Sequence, residues 1–308
     1  MSYGWMADPI TIFDRSLLRK RRDRAAKAFP SHDFLVREAA ERLADRLDDV
    51  TRRFPVALDL GCHTGELGQT LGKRGGIETL VQCDLSPAMA GRAARSGRIT
   101  LAADEEWLPF ADDSFDLVLS CLSLHWVNDL PGTLVQIRRV LKPDGLFLAV
   151  MLGGDTLMEL RQALADAEIS VEGGLSPRVS PMAEVRDLGG LLQRAGFALP
   201  VADSEHLTVS YADPMSLLAD LRGMGETNAV AQQRKGLTRR ATLFTALARY
   251  PERFADSTGR MPATFQLLTM TAWKPHPSQP KPLAPGSAQT SLVTALNNPC
   301  APLRPQTD

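Results

Sequence analysis

Residues Ala57 to Gly65 place a carboxylate, Asp59, at the close of a short apolar run and follow it with two glycines, Gly61 and Gly65. A turn of that kind lets the backbone approach a ligand closely and aim its N–H groups at it from the start of the next helix. Asp84 closes the following apolar run, at the spacing where a carboxylate accepts both hydrogen bonds of a ribose diol. Asp104 closes a third and suits an adenine amino group. One glycine turn alone is explained by a tight strand-to-helix connection, whereas three acids at three successive strand ends point to a nucleotide cradle. The cofactor is not a nicotinamide dinucleotide on this pattern: its G-x-G-x-x-G fingerprint does not match Gly61-Cys62-His63-Thr64-Gly65-Glu66-Leu67-Gly68. His63 stands where a middle glycine is usual, and a positive φ there would strain a residue that carries a side chain.

The elements that must hold these residues alternate. Val56 to Leu60, Thr79 to Asp84, Ile99 to Ala103, Phe115 to Cys121 and Leu146 to Met151 read as strands. Helices are expected from Gly65 to Lys73, Pro87 to Arg95 and Leu130 to Leu141. Short apolar strands separated by helices imply a parallel sheet with right-handed crossovers, and ligands then bind beyond the carboxyl ends of the strands. Two helices precede the sheet, from Asp8 to Ala28 and from Asp33 to Arg53. Helices from Thr156 to Ala167 and Met182 to Ala195 follow it. Strands from Glu205 to Val209 and Thr264 to Trp273 could pair at the edge of the sheet. Between them lie helices from Pro214 to Gly223 and Thr238 to Tyr250, an insertion of the kind that forms substrate lids. The expected layout is a helical extension over residues 1–54, an α/β domain over 55–274 with a lid insertion near 212–262, and a proline-rich disordered tail over 275–308.

Composition narrows the function classes. A formal charge of -1 offers no global attraction for nucleic acid. The basic run from Arg15 to Arg24 reads either as the solvated face of a helix or as a dock for an acidic partner or an anionic membrane surface. Cys62, Cys83, Cys121 and Cys300 form no CxxC pair, so neither a metal site nor a disulfide framework is expected and the thiols read as reduced and buried. The lack of a long apolar run or a signal sequence points to a cytoplasmic protein.

The strand-end acids and the passage DEEWLPFADDSFDLVLSCLSLHWVNDL, from Asp104 to Leu130, are similar to class I S-adenosylmethionine-dependent methyltransferases. The resemblance implies that Asp59 and Gly61 line the methionine part of that cofactor, that Asp84 binds the ribose, and that Asp104 with the Glu105 backbone holds the adenine. Cys62, His63, Gly65, Leu85 and Cys121 would complete the pocket, and Leu122 to His125 would border the reacting centre. The segments FDRSLLRKRRDRAA, SLSLHWVNDLP, LGGDTLMELR, EGGLSPRVSP, LRGMGETNA and PATFQLLTMTAWK look like the family of the methyltransferase-like complex I assembly factor 5, from Phe13 to Lys274. Members of that family are implicated in hydroxylating an arginine on an iron-sulfur subunit of NADH:ubiquinone oxidoreductase. The resemblance therefore implies a protein substrate, which the basic helix could steer; the basic run itself also suits peripheral association with the inner face of the cytoplasmic membrane. The residues give hydroxylation no independent support. His125 and Asp155 are the catalytic candidates, while pocket wall and helix cap explain them as simply. Paired with His63 they could form an iron-type ligand set only if they met in one cavity. Arg178 and Tyr211 are weaker candidates for substrate contact. The methionines Met215, Met224, Met261 and Met270 read as core filler. A conventional methyltransferase acting on a small molecule or an acyl-carrier carboxyl group, and a non-catalytic cofactor-binding assembly chaperone, are the alternatives.

Overall fold

In the computed structural model, residues 11–234 and 236–280 are described, together with positions 286, 287, 291 and 293. Seven strands form one sheet: β1 (Val56–Leu60), β2 (Thr79–Asp84), β3 (Ile99–Ala102), β4 (Phe115–Cys121), β5 (Leu141–Leu152), β6 (Ala198–Tyr211) and β7 (Met261–Trp273). Their order is β3-β2-β1-β4-β5-β7-β6. The first five run parallel, and β7 lies antiparallel to both β5 and β6. The order reverses between β1 and β4, which is where a parallel sheet opens a crevice at its carboxyl edge. Nine α-helices accompany the strands among the described residues: α1 (Arg15–Ala25), α2 (Phe34–Asp48), α3 (Glu66–Leu71), α4 (Pro87–Ala93), α5 (Leu130–Val140), α6 (Met158–Glu172), α7 (Val185–Arg194), α8 (Pro214–Gly223) and α9 (Arg240–Phe254). This is the α/β, Rossmann-like sheet that the alternating pattern predicts.

Side-chain alternation in the strands builds a core on each face of the sheet. On one face Ala57, Leu117 and Leu119 pack with Leu35, Ala39, Leu43 and Leu47 of α2. On the other, Leu58, Leu60 and Val118 pack with Leu134 and Ile137 of α5 and Leu188 and Leu192 of α7. A third, small cluster joins Phe13, Leu18 and Trp126 to Ala229 and Val230, with Leu85 against it. It ties the N-terminal segment to the loop after α8. The backbones also meet there, Asp14 N–H donating to Ala229 O and Ala231 N–H to Ile12 O, both at 2.8 Å.

Several boundaries differ from the sequence reading, each for a local reason. The first helix starts at Arg15 because the Asp14 carboxylate caps it, accepting from the Leu17 N–H at 2.8 Å. Residues 8–10 lie outside the described part. β6 begins at Ala198 rather than Glu205; as an edge strand it leaves most of its side chains partly or fully exposed and so shows little apolar run. α6 begins at Met158, because Leu157 takes a left-handed φ of 56° and the Thr156 hydroxyl turns to β7. Phe29, Leu35 and Phe54 of the segment before β1 join the main core. The chain divides into compact units Met1–Pro275 and His276–Asp308. Most of the expected tail, with Cys300, lies outside the described residues. Met224, Met261 and Met270 are buried, whereas Met215 is exposed. No helix among the described residues is long and apolar enough to cross a membrane.

Candidate functional site

The carboxyl ends of β1, β2 and β4 and the loop after β3 converge on a cluster of buried acids. Asp59 is fully buried; its Oδ2 accepts from the Gln82 amide at 3.0 Å, and its Oδ1 has no partner among the described residues. Burial pushes its carboxyl up to about 7, the Gln82 hydrogen bond opposing and the nearby Glu66 and Asp84 adding to the rise. Asp84 accepts from the Ser86 N–H at 2.7 Å and the His63 N–H at 3.0 Å. Burial lifts its carboxyl to about 6 against the pull of Arg22. Glu105 goes the other way: burial would raise it, but Arg15, Arg22 and the Ser123 hydroxyl outweigh burial and hold it down at about 2.

The two arginines come from α1 and correct the reading of its basic run. Arg22 is fully buried, its Nη1 3.6 Å from both Asp84 Oδ2 and Glu105 Oε1. Arg15 reaches Asp104 Oδ1 at 2.5 Å and also pairs with Glu105. Arg19, Lys20 and Arg24 do remain exposed. Arg15, Leu18, Arg22 and Ala25 follow one another at helical spacing, so the stripe facing the sheet is half cationic. That spacing was available in the sequence as a signal.

The turn after β1 takes a positive φ at three places, 75° at Gly61, 50° at His63 and 99° at Gly65. Gly61 has no room for a side chain, since a Cβ there would fall 2.2 Å from the Ser123 hydroxyl. His63 carries the strain expected of it, and its ring is anchored rather than loose. The ring stacks on Phe29, with centroids 5.4 Å apart. Its Nε2 lies 3.0 Å from the Cys121 carbonyl, which can only accept, so Nε2 bears the proton. Nδ1 is then a buried lone pair without a partner among the described residues. Burial first, and the Arg22 charge second, lower the imidazole to about 4, so it is neutral at physiological pH. Cys62, Cys83 and Cys121 are buried free thiols around this turn, each pushed up by burial. Leu85 packs beneath α1 in the third cluster.

The two catalytic candidates do not meet. His125 is buried on the turn after β4, where its Nε2 donates to Glu226 Oε2 at 3.0 Å, and Trp126 Nε1 donates to the same oxygen at 2.7 Å. Asp155 is exposed at the far side of β7, with His206 Nε2 2.9 Å from its Oδ2. Among the described residues no three His, Cys, Asp or Glu side chains gather as a metal site, so His63, His125 and Asp155 are not assembled into one. Arg178 pairs with Glu168 at 2.8 Å and Glu172 at 3.4 Å on α6. Tyr211 packs in the main core at the end of β6. Glu226 is the residue the sequence reading missed; it sits in a loop, where no periodicity marks a buried position.

The donor and acceptor types of this cluster fit an adenine nucleoside with a charged amino-acid tail. Asp84 and Asp104 are acceptors for hydroxyl and amine hydrogens. The orphaned Asp59 Oδ1 is a buried acceptor that lacks a donor. What now answers Asp84, Asp104 and Glu105 is the pair of arginines on α1.

The pH dependence of folding follows from Asp59. Its ordinary pKa is 3.8 and its folded value is about 7, so between those limits the folded chain holds a proton that the unfolded chain has lost. Stability therefore falls as pH rises through that window. Asp59→Asn is expected to flatten this decline, as read from urea unfolding at pH 5 and pH 8. An undiminished difference between the two pH values would show that Asp59 is not its source.

Comparison with known proteins places the fold and the lineage. Residues 58–149 match a family model described as a methyltransferase domain. The chain aligns with TM-score 0.51 and 15% identity to a phosphoethanolamine N-methyltransferase from Haemonchus contortus solved with S-adenosyl-L-methionine, covering 82% of this chain and 57% of that one; at that identity the likeness concerns fold alone. It is 36% identical over 276 residues to a malonyl-[acyl-carrier protein] O-methyltransferase of Methylovorus, covering 86% of this chain and 90% of the relative. It is 46% identical over 289 residues to the zebrafish protein named arginine-hydroxylase NDUFAF5, mitochondrial, covering 92% of this chain and 89% of the relative. A likeness of that depth along nearly the whole of both sequences means that this methyltransferase-fold chain belongs to the arginine-hydroxylase NDUFAF5 family.

Proposed function

We propose that this protein is an S-adenosylmethionine-binding enzyme that hydroxylates an arginine on an iron-sulfur subunit of respiratory complex I during its assembly. The observation that carries the reading is the identity to arginine-hydroxylase relatives across more than nine-tenths of the chain. The strand-end acids support its cofactor half: Asp84 accepts from the ribose hydroxyls, Asp104 and the Glu105 backbone from and to the adenine, and Asp59 from the ammonium of the methionine part. When bound, S-adenosylmethionine supplies a sulfonium with a transferable methyl group. Hydroxylation replaces one C–H hydrogen by OH, a two-electron oxidation. With dioxygen as oxidant, a reductant delivers two electrons and two protons, and the second oxygen atom leaves as water. In a cell without mitochondria the reaction belongs on the cytoplasmic side, with the exposed Arg19, Lys20 and Arg24 of α1 meeting the membrane or an acidic face of the complex.

Mass spectrometry of the iron-sulfur subunit from a deletion strain tests the reading. The target arginine is expected to lose 16 mass units, about the mass of one oxygen atom, relative to the wild type; an unchanged subunit overturns it. The relationship to malonyl-[acyl-carrier protein] O-methyltransferases favours methyl transfer to an acyl-carrier carboxyl group as the second reading. Labelled methyl appearing on a malonyl thioester would select it.

A further inference from the structure

We propose that Glu226 is the receptor for the guanidinium of the target arginine, at the inner end of an apolar cavity between α6, α8 and residues 178–182. The inference rests on the arginine-hydroxylase reading and adds to it the residue that recognises the substrate. The cavity is about 200 Å³. That is below the roughly 300 Å³ at which pockets for drug-sized ligands begin, a space for one side chain. Leu157, Leu160, Val179, Leu218 and Leu221 form its walls.

Glu226 is the acid among these apolar walls. Its side chain is only 10% exposed. Burial pushes its carboxyl up, yet His125, which lies beside it and donates to it, and Arg22 behind outweigh burial and lower it. It is therefore a carboxylate. His125 and Trp126 both donate to Oε2, which fixes the group in place. Oε1 takes no hydrogen bond from any described residue. That oxygen keeps contact with the cavity space, so a cationic donor entering the cavity can meet it while Oε2 stays held. Arginine brings an apolar stem for the leucine walls and a planar fork for the carboxylate.

Two arginines of the chain also border the cavity. The Arg178 guanidinium is turned to Glu168 and Glu172 on α6. Arg222 is exposed and also borders two outer cavities, which puts it at the rim. Neither answers Glu226. A malonyl carboxylate would meet the Glu226 charge head on, so the cavity selects against the acceptor of the second reading. Glu226 holds His125 and Trp126 of the turn after β4, and Trp126 also lines the cavity, which sets it next to the carboxyl edge of the sheet.

The test is calorimetric titration of the full chain, saturated with S-adenosylmethionine, with N-acetyl-arginine-methylamide and its neutral citrulline counterpart. The wild type is expected to prefer arginine. Glu226→Gln, which keeps the shape and loses the charge, is expected to weaken arginine binding about ten- to a hundredfold and to leave citrulline binding unchanged. Glu226→Asp should fall between them, and cofactor affinity measured on each variant reports that the fold is intact. Equal arginine preference in the wild type and Glu226→Gln overturns the inference and leaves the arginine-hydroxylase reading standing. A wild type that ignores arginine and methylates a malonyl thioester overturns both.

Discussion

Arg22→Leu is expected to destabilise the protein by about 3–5 kcal/mol at pH 8, the usual effect of removing one partner from a buried ionic group. Arg22 is fully buried and faces two buried carboxylates, Asp84 and Glu105, at 3.6 Å each. With a leucine in its place both acids lose a positive neighbour in a dry environment. Glu105 now sits at about 2, below its ordinary 4.5, so it adds stability above that value that is lost as pH falls toward 2. In the variant its carboxyl rises, and that contribution shrinks or reverses. The difference from wild type should therefore be largest at pH 8 and smaller at pH 5, where the acids take up protons. Denaturant unfolding at the two pH values checks this.

The same variant is expected to retain cofactor binding. The guanidinium stands at the Asp84 carboxylate that the ribose hydroxyls would use, so a nucleoside gains from its removal the displacement it would otherwise have to make. The rise in melting temperature caused by saturating S-adenosylmethionine should be larger than in the wild type. A folded Arg22→Leu protein that no longer binds cofactor would instead identify Arg22 as a cofactor ligand.

Asp84→Asn is expected to weaken S-adenosylmethionine binding roughly a hundredfold, because hydrogen bonds from the diol to a charged acceptor are replaced by weaker ones to an amide. A second loss acts in the same direction. Asp84 accepts from both the His63 and the Ser86 N–H groups, and an asparagine cannot answer both, so the turn after β1 loosens as well. Isothermal titration calorimetry on the full chain reads the effect. An affinity within threefold of wild type would remove Asp84 from the ribose site.

The sheet was legible because its strands are short apolar runs that end in acids and glycines, and parallel strands with helical crossovers leave few topologies. β6 was half legible, since a solvent-facing edge strand carries backbone pairing without a continuous apolar signal. Arg15 and Arg22 show where residue type misleads. Charge density suggested a wetted helix face, whereas the spacing of Arg15, Leu18 and Arg22 put two cations on the buried stripe, where three acids await them. Glu226 was beyond reach for another reason. It lies in a loop about a hundred residues from His125 and Trp126, and only the chain's return across the crevice brings the three together.

The three thiols around the turn after β1 have a consequence for a protein whose proposed work involves oxygen. Cys62, Cys83 and Cys121 lie buried around that turn, and burial keeps each in the protonated form. The thiolate, not the thiol, attacks peroxides and electrophiles. The sulfur packed around this turn is thus chemically quiet, and stray oxidant reaching it would find no ready nucleophile there to consume.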